Sequence, residues 1–131
     1  MARILVVDDK PDERAVVEEM LVSLGHEVFS AANGREALGH QRSNPADLVI
    51  TDLFMPELDG VEAIVAIKRE FPEVKVIAMS GNNVADAMLS VARRLGTVAE
   101  LGKPFTIEQL AAAVEKALRL LKAEQNKFPS A

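Results

Sequence analysis

The sequence predicts an α/β fold, a five-stranded parallel sheet with helices packed on both faces, and three observations carry that expectation. Five short apolar runs alternate with five stretches of helical period, the pattern that βα units produce. The runs near the middle of the pattern, such as "ILVV" and "LVI", are apolar on both faces, as strands covered by helices on each side must be. The chain has 131 residues, 49% of them hydrophobic and 27% charged, which is the size and balance of one domain with a real core.

The elements follow in order. "RILVVD" (3–8) is a short β-branched run and reads as a central strand. "PDERAVVEEMLVSLG" then places Val16, Val17, Met20, Leu21 and Leu24 on one helical face. Pro11 suits the first turn, Asp12 and Glu13 favour the positive helix start, and Gly25 closes the helix. "HEVFSA" (26–31) alternates more, as a strand nearer the sheet edge does, and residues 34–43 form a short helix ended before Pro45. "DLVITD" (47–52) is again central and ends on an acid. A turn at "PELDG" leads to a helix over 61–71, a strand over 74–80 ending on a hydroxyl, and a helix over 85–96. A weak strand at 97–101 and a long amphipathic helix over 106–124 complete the pattern, and "QNKFPSA" reads as a frayed tail. No internal repeat or second domain is visible.

Composition excludes several function classes. A formal net charge of −5 and a pI near 5.1 argue against general affinity for nucleic acid or an anionic membrane. Without cysteine there is no disulfide, thiolate metal site or cysteine nucleophile. No signal peptide and no apolar run of membrane-spanning length is seen, so a cytoplasmic location is expected. His26 and His40 read as surface residues, and Met20, Met55, Met79 and Met88 as packing.

In a doubly wound sheet the ligand site lies beyond the carboxyl ends of the strands, where the strand order reverses. The first strand delivers Asp8 and Asp9 to that edge, the third Asp52, the fourth Ser80, and the fifth leads to Lys103 before Pro104. In the flavodoxin-like order 2-1-3-4-5, taken by analogy with other doubly wound sheets, strands one and three are neighbours and the three aspartates converge. Carboxylates that close repel unless a cation intervenes. An oxygen-only set without His or Cys suits Mg²⁺. A carboxylate beside such an ion can attack phosphorus to give an aspartyl phosphate, with Lys103 and the Ser80 hydroxyl meeting the phosphoryl oxygens. An acidic pair after a strand is commonly only a solvated loop or a helix cap. What sets Asp8 and Asp9 apart is the company of Asp52 and Lys103 on the same edge.

"ILVVDD", "DLVITDLFMPELDG", "VIAMSG" and "LGKPF" closely resemble motifs of the receiver domain of two-component response regulators, and the resemblance covers residues 3 to about 122. It implies that Asp52 is the phosphoacceptor, that Asp8, Asp9, Asp52 and the backbone carbonyl of Phe54 hold Mg²⁺, and that Ser80 and Lys103 take the family's hydroxyl and lysine roles. It also implies a cis Lys103–Pro104 bond, a geometry suited only to proline. On this resemblance residues 1–124 form the receiver domain and 125–131 a flexible tail. The implied partners are a sensor histidine kinase or a histidine phosphotransfer protein, a downstream protein target, and a phosphorylation-dependent second copy, with no direct contact to nucleic acid or membrane.

The resemblance implies a signalling phosphoacceptor that assists only its own phosphorylation and dephosphorylation, not an enzyme with a separate substrate. A Mg²⁺-dependent phosphohydrolase would usually carry a second acid two residues after its nucleophile, where this chain has Phe54. A degenerate receiver used only for protein binding would not need the site positions intact, as they are here. One departure stands out. Three residues before Lys103 the family usually has an aromatic residue, and here it is Glu100. Burying a carboxylate without a partner is costly, so Glu100 is expected to face solvent. The signal is then expected to pass through Ser80, Gly81, Asn82 and the start of the fourth helix.

Overall fold

The computed structural model describes residues 2–53, 60–81 and 86–127. Among them the strands are β1 (Arg3–Val7), β2 (Glu27–Ala31), β3 (Leu48–Asp52), β4 (Lys75–Ser80) and β5 (Ala99–Gly102). The helices that follow them in turn are α1 (Pro11–Ser23), α2 (Gly34–Ser43), α3 (Gly60–Glu70), α4 (Asp86–Arg94) and α5 (Ile107–Lys127). The strands pair in parallel in the order β2-β1-β3-β4-β5, as expected. The chain therefore winds one way from β1 to β2 and the other way from β3 onward. The order reverses between β1 and β3, which places a crevice at their carboxyl ends.

The central strands are apolar on both faces between their polar ends, because alternate residues feed two separate cores. Ile4, Val6, Leu48, Ile50, Ile77 and Met79 pack with Val17 and Leu21 of α1 and with Leu110, Val114 and Ala117 of α5. Their chain neighbours Leu5, Val7, Val49, Val76 and Ala78 pack on the other face with Ala37 of α2, Ile64 and Ile67 of α3, and Ala92 of α4. Period-two alternation of side chains thus becomes a sheet buried on both sides.

Local chemistry sets the helix ends. The Gly25 N–H bonds the Val22 carbonyl and the His26 N–H bonds that of Leu21, the paired Schellman pattern, with Gly25 at φ 91°. Gly96 repeats it at φ 101°, with its own N–H on Arg93 and the Thr97 N–H on Ala92. That turn uses up Thr97, so β5 begins at Ala99 and not at residue 97. At the start of α5 the Thr106 hydroxyl accepts from the Gln109 N–H at 3.1 Å while the Gln109 side chain accepts from the Thr106 N–H at 2.8 Å, a reciprocal capping box. α5 continues to Lys127, past the expected end at 124, and Glu124 pairs there with the buried Lys75. Residues 128–131 of the expected tail lie outside the described residues.

His26 is not the simple surface residue the sequence suggested. It is half-buried, its Nδ1 accepts the Ala2 N–H at 3.2 Å, and burial pushes its pKa down. His40 is half-buried too, with its ring 4.8 Å from that of Phe29.

Two glycines should respond in opposite directions to alanine. A Cβ at Gly25 meets nothing within 4 Å, so Gly25→Ala isolates the cost of a left-handed backbone, about 1–2 kcal/mol of lost stability. Gly39 lies exposed inside α2 with equal room, and Gly39→Ala should add about 0.5–1 kcal/mol. Urea unfolding of both variants measures this, and shifts of the same sign would refute it.

Candidate functional site

At the carboxyl edge four segments meet on one ammonium group. Asp8 follows β1 and stays in its ladder, its N–H on the Ala31 carbonyl at 3.1 Å. Its side chain is completely buried. Oδ1 accepts the Lys10 N–H at 3.0 Å, and the Asp8 carbonyl accepts from Arg14 Nη1 at 2.8 Å. Asp52 is the last residue of β3 and is buried, as is Ser80 at the end of β4. The Ser80 carbonyl accepts the Lys103 N–H at 2.7 Å, which fixes the exit of β5 against β4. The Lys103–Pro104 bond is cis, as the resemblance implied.

Lys103 Nζ donates to Asp8 Oδ2 at 2.9 Å, to Asp52 Oδ2 at 2.9 Å and to Glu13 Oε2 at 2.8 Å. An ammonium has three protons, so all of its donors are used. Burial works against the charge on Lys103, but the bonds to Glu13, Asp8 and Asp52 outweigh it and hold the pKa above the ordinary lysine value. The same bond from Lys103 outweighs burial at Glu13 and holds that carboxyl below its usual range.

The structure thus gathers Asp8, Asp52 and Lys103, with Ser80 at the end of the adjoining strand. It adds Glu13, which the sequence offered only as an acid at the helix start. Asp8, Glu13 and Asp52 each present an oxygen within 4.8 Å of the others, a hard oxygen set compatible with a divalent cation. Asp9 is not in that group. Its Oδ1 is nevertheless buried without a hydrogen-bond partner, an arrangement whose cost a cation would remove. The donor set and this orphaned oxygen fit Mg²⁺. Phe54, whose carbonyl the resemblance assigned to the metal, lies outside the described residues.

Glu100 departs from expectation. It is not turned freely to solvent, and its side chain is 21% exposed. Arg93 of α4 grips it with two bonds, Nε to Oε1 at 2.5 Å and Nη2 to Oε2 at 2.9 Å. A partner removes the penalty that the solvent-facing expectation rested on.

Comparison with known proteins agrees with this geometry. The family model of the response regulator receiver domain matches residues 4–115. The chain belongs to that family. It is 37% identical over 117 residues to the DNA-binding transcriptional regulator NtrC of Azospirillum brasilense, covering 89% of this chain and 24% of the regulator. It is 34% identical over 118 residues to sporulation initiation phosphotransferase F of Bacillus subtilis, covering 90% of this chain and 94% of that protein. Among solved structures it resembles a response regulator receiver domain protein from Clostridium thermocellum, with a TM-score of 0.88, 32% identity, and coverage of 94% and 98%. The NtrX structure from Brucella abortus in complex with ADP gives 0.89 and 32%, with this chain spanning 29% of its length. The receiver thus spans between about a quarter and nearly all of the proteins it matches. No helix among the described residues is long and apolar enough to cross a membrane.

Removing the ammonium should expose the repulsion it offsets. Lys103→Met takes the ammonium away from the buried Asp8 and Asp52 carboxylates, and should lower stability by about 2 kcal/mol at neutral pH. Asp8→Asn in the same background should recover part of that loss in chemical unfolding. An unchanged midpoint for Lys103→Met would show that the pairing contributes nothing.

Proposed function

We propose that this receiver accepts a phosphoryl group on Asp52 from a phosphohistidine of a sensor kinase or phosphotransfer protein, and thereby changes its affinity for a downstream protein. Residues 1–124 are the unit that does this. The observation that carries the reading is the Lys103 ammonium held 2.9 Å from the buried Asp52 carboxylate at the point where the sheet order reverses.

An Asp52 oxygen attacks phosphorus, the P–N bond to the donor histidine breaks, and the imidazole nitrogen keeps the bonding pair and takes a proton from water. Lys103 donates to a phosphoryl oxygen, and the Ser80 hydroxyl donates to another. Asp8 and Asp9, with Asp52 and the Phe54 carbonyl, would hold Mg²⁺, which when bound would offset the carboxylate charges and those of the incoming phosphoryl group. Lys103, its Nζ 2.9 Å from Asp52 Oδ2, compensates the charge of the attacking carboxylate. Water later attacks phosphorus, the P–O bond to Asp52 breaks, and inorganic phosphate leaves.

Incubation with phosphoramidate and Mg²⁺ should add one phosphoryl mass that is labile to hydroxylamine, and Asp52→Asn should abolish it. A group that survives hydroxylamine, or persists in Asp52→Asn, places the acceptor elsewhere.

The metal reading has its own check. An ion held by this folded site would stabilise it over the unfolded chain, so millimolar Mg²⁺ should raise the melting temperature, and Asp9→Asn should shrink the rise. Superimposable melts of the native chain with and without Mg²⁺ would count against a metal seat.

A further inference from the structure

We infer that Glu13 is a positioning residue for Lys103: it clasps the ammonium in the resting protein and is the arm that Lys103 releases when a phosphoryl group arrives. The inference rests on the proposed phosphoacceptor role of Asp52 and adds a regulator to that same site. Lys103 Nζ already spends its three protons on Asp8, Asp52 and Glu13, so a phosphoryl oxygen must take one over.

The three partners are unequal. Asp8 is wholly buried and its other oxygen is tied to the Lys10 N–H, and Asp52 is the acceptor. The Glu13 side chain is 42% exposed, so water can replace its bond at little cost. A second cation also waits nearby, since Lys10 Nζ lies 4.0 Å from Glu13 Oε1. There is room to move, because Glu13 and Lys103 both line an open groove of about 380 Å³ that is otherwise lined by Val16, Val17, Met20, Pro104 and Phe105. Glu13 therefore competes with the phosphoryl group for Lys103, and its negative charge adds repulsion at the mouth. Both effects slow phosphoryl uptake.

Glu13 also lies in the first turn of α1, where any acid favours the helix. Asp12 shares that turn and is exposed, while the three Lys103 protons go to Asp8, Glu13 and Asp52, which makes Asp12 the control. Two measurements on the full chain decide the matter. In the first, the initial rate of phosphoryl uptake from phosphoramidate is followed by mass spectrometry. Glu13→Ala should raise the rate about three- to fivefold, and Asp12→Ala should leave it near native. In the second, without donor or metal, the Lys103 ammonium protons are followed by NMR. Their exchange with water is slowed in the native chain by three bonds, so the signal should weaken in Glu13→Ala and remain in Asp12→Ala.

Equal rates for Glu13→Ala and the native chain, or equal effects of the two alanines, would overturn the clasp. A native chain that takes no phosphoryl group on Asp52 would instead sink the functional reading. The ammonium signal would then decide the clasp alone, an unchanged signal in Glu13→Ala refuting it.

Discussion

One ammonium holds together three carboxylates that would repel at this spacing, and the carboxyl edge of the sheet depends on that bond set. Asp8 comes from the end of β1, Glu13 from the first turn of α1, Asp52 from the end of β3, and Lys103 from the exit of β5. Lys103 is distant in sequence from all three of its partners. Their mutual placement is inherited from the sheet below, and their charge balance from Lys103. Low exposure makes the bonds to Asp8 and Asp52 stronger than their counterparts in water, and makes loss of either costly, while the part-exposed Glu13 is held more weakly.

Much of this was legible in the sequence. Asp8, Asp52, Ser80 and Lys103 all stand at the ends of apolar runs, and βα alternation forces such ends onto one edge. The strand order itself came from analogy, because periodicity fixes which faces are apolar but not which strands are neighbours. Glu13 was hidden for a different reason. In the sequence it is one of two acids opening a helix, and only the direction in which that helix leaves the sheet shows that Glu13, and not Asp12, reaches Lys103. Asp8 and Asp9 read as a matched pair, yet one shares the lysine while the other keeps an unpartnered buried oxygen.

Glu100 was misjudged because its partner lies outside its own strand. A lone carboxylate is predicted to seek water, but Arg93 sits one helical end away and meets it with both arms of its guanidinium. The result is a charge-assisted link between α4 and the edge strand. A property that depends on two residues seven apart, across a Schellman turn, is not visible at either residue alone.

The two-sided burial of the central strands leaves a question of alignment. Where only one face of a strand is apolar, a slip of one residue exposes the core and is heavily penalised. β1, β3 and β4 are apolar on both faces, so alternation cannot guard them in this way. What stops the slide is polar at each end. Asp47 accepts the Arg3 N–H at 2.9 Å where the strands enter, and the buried Lys75 is held there by Glu124. Asp8, Asp52 and Ser80 stand where they leave. The residues offered for chemistry are thus also the stops of a sliding bolt, and the strands lock in the one alignment that brings those carboxylates to Lys103.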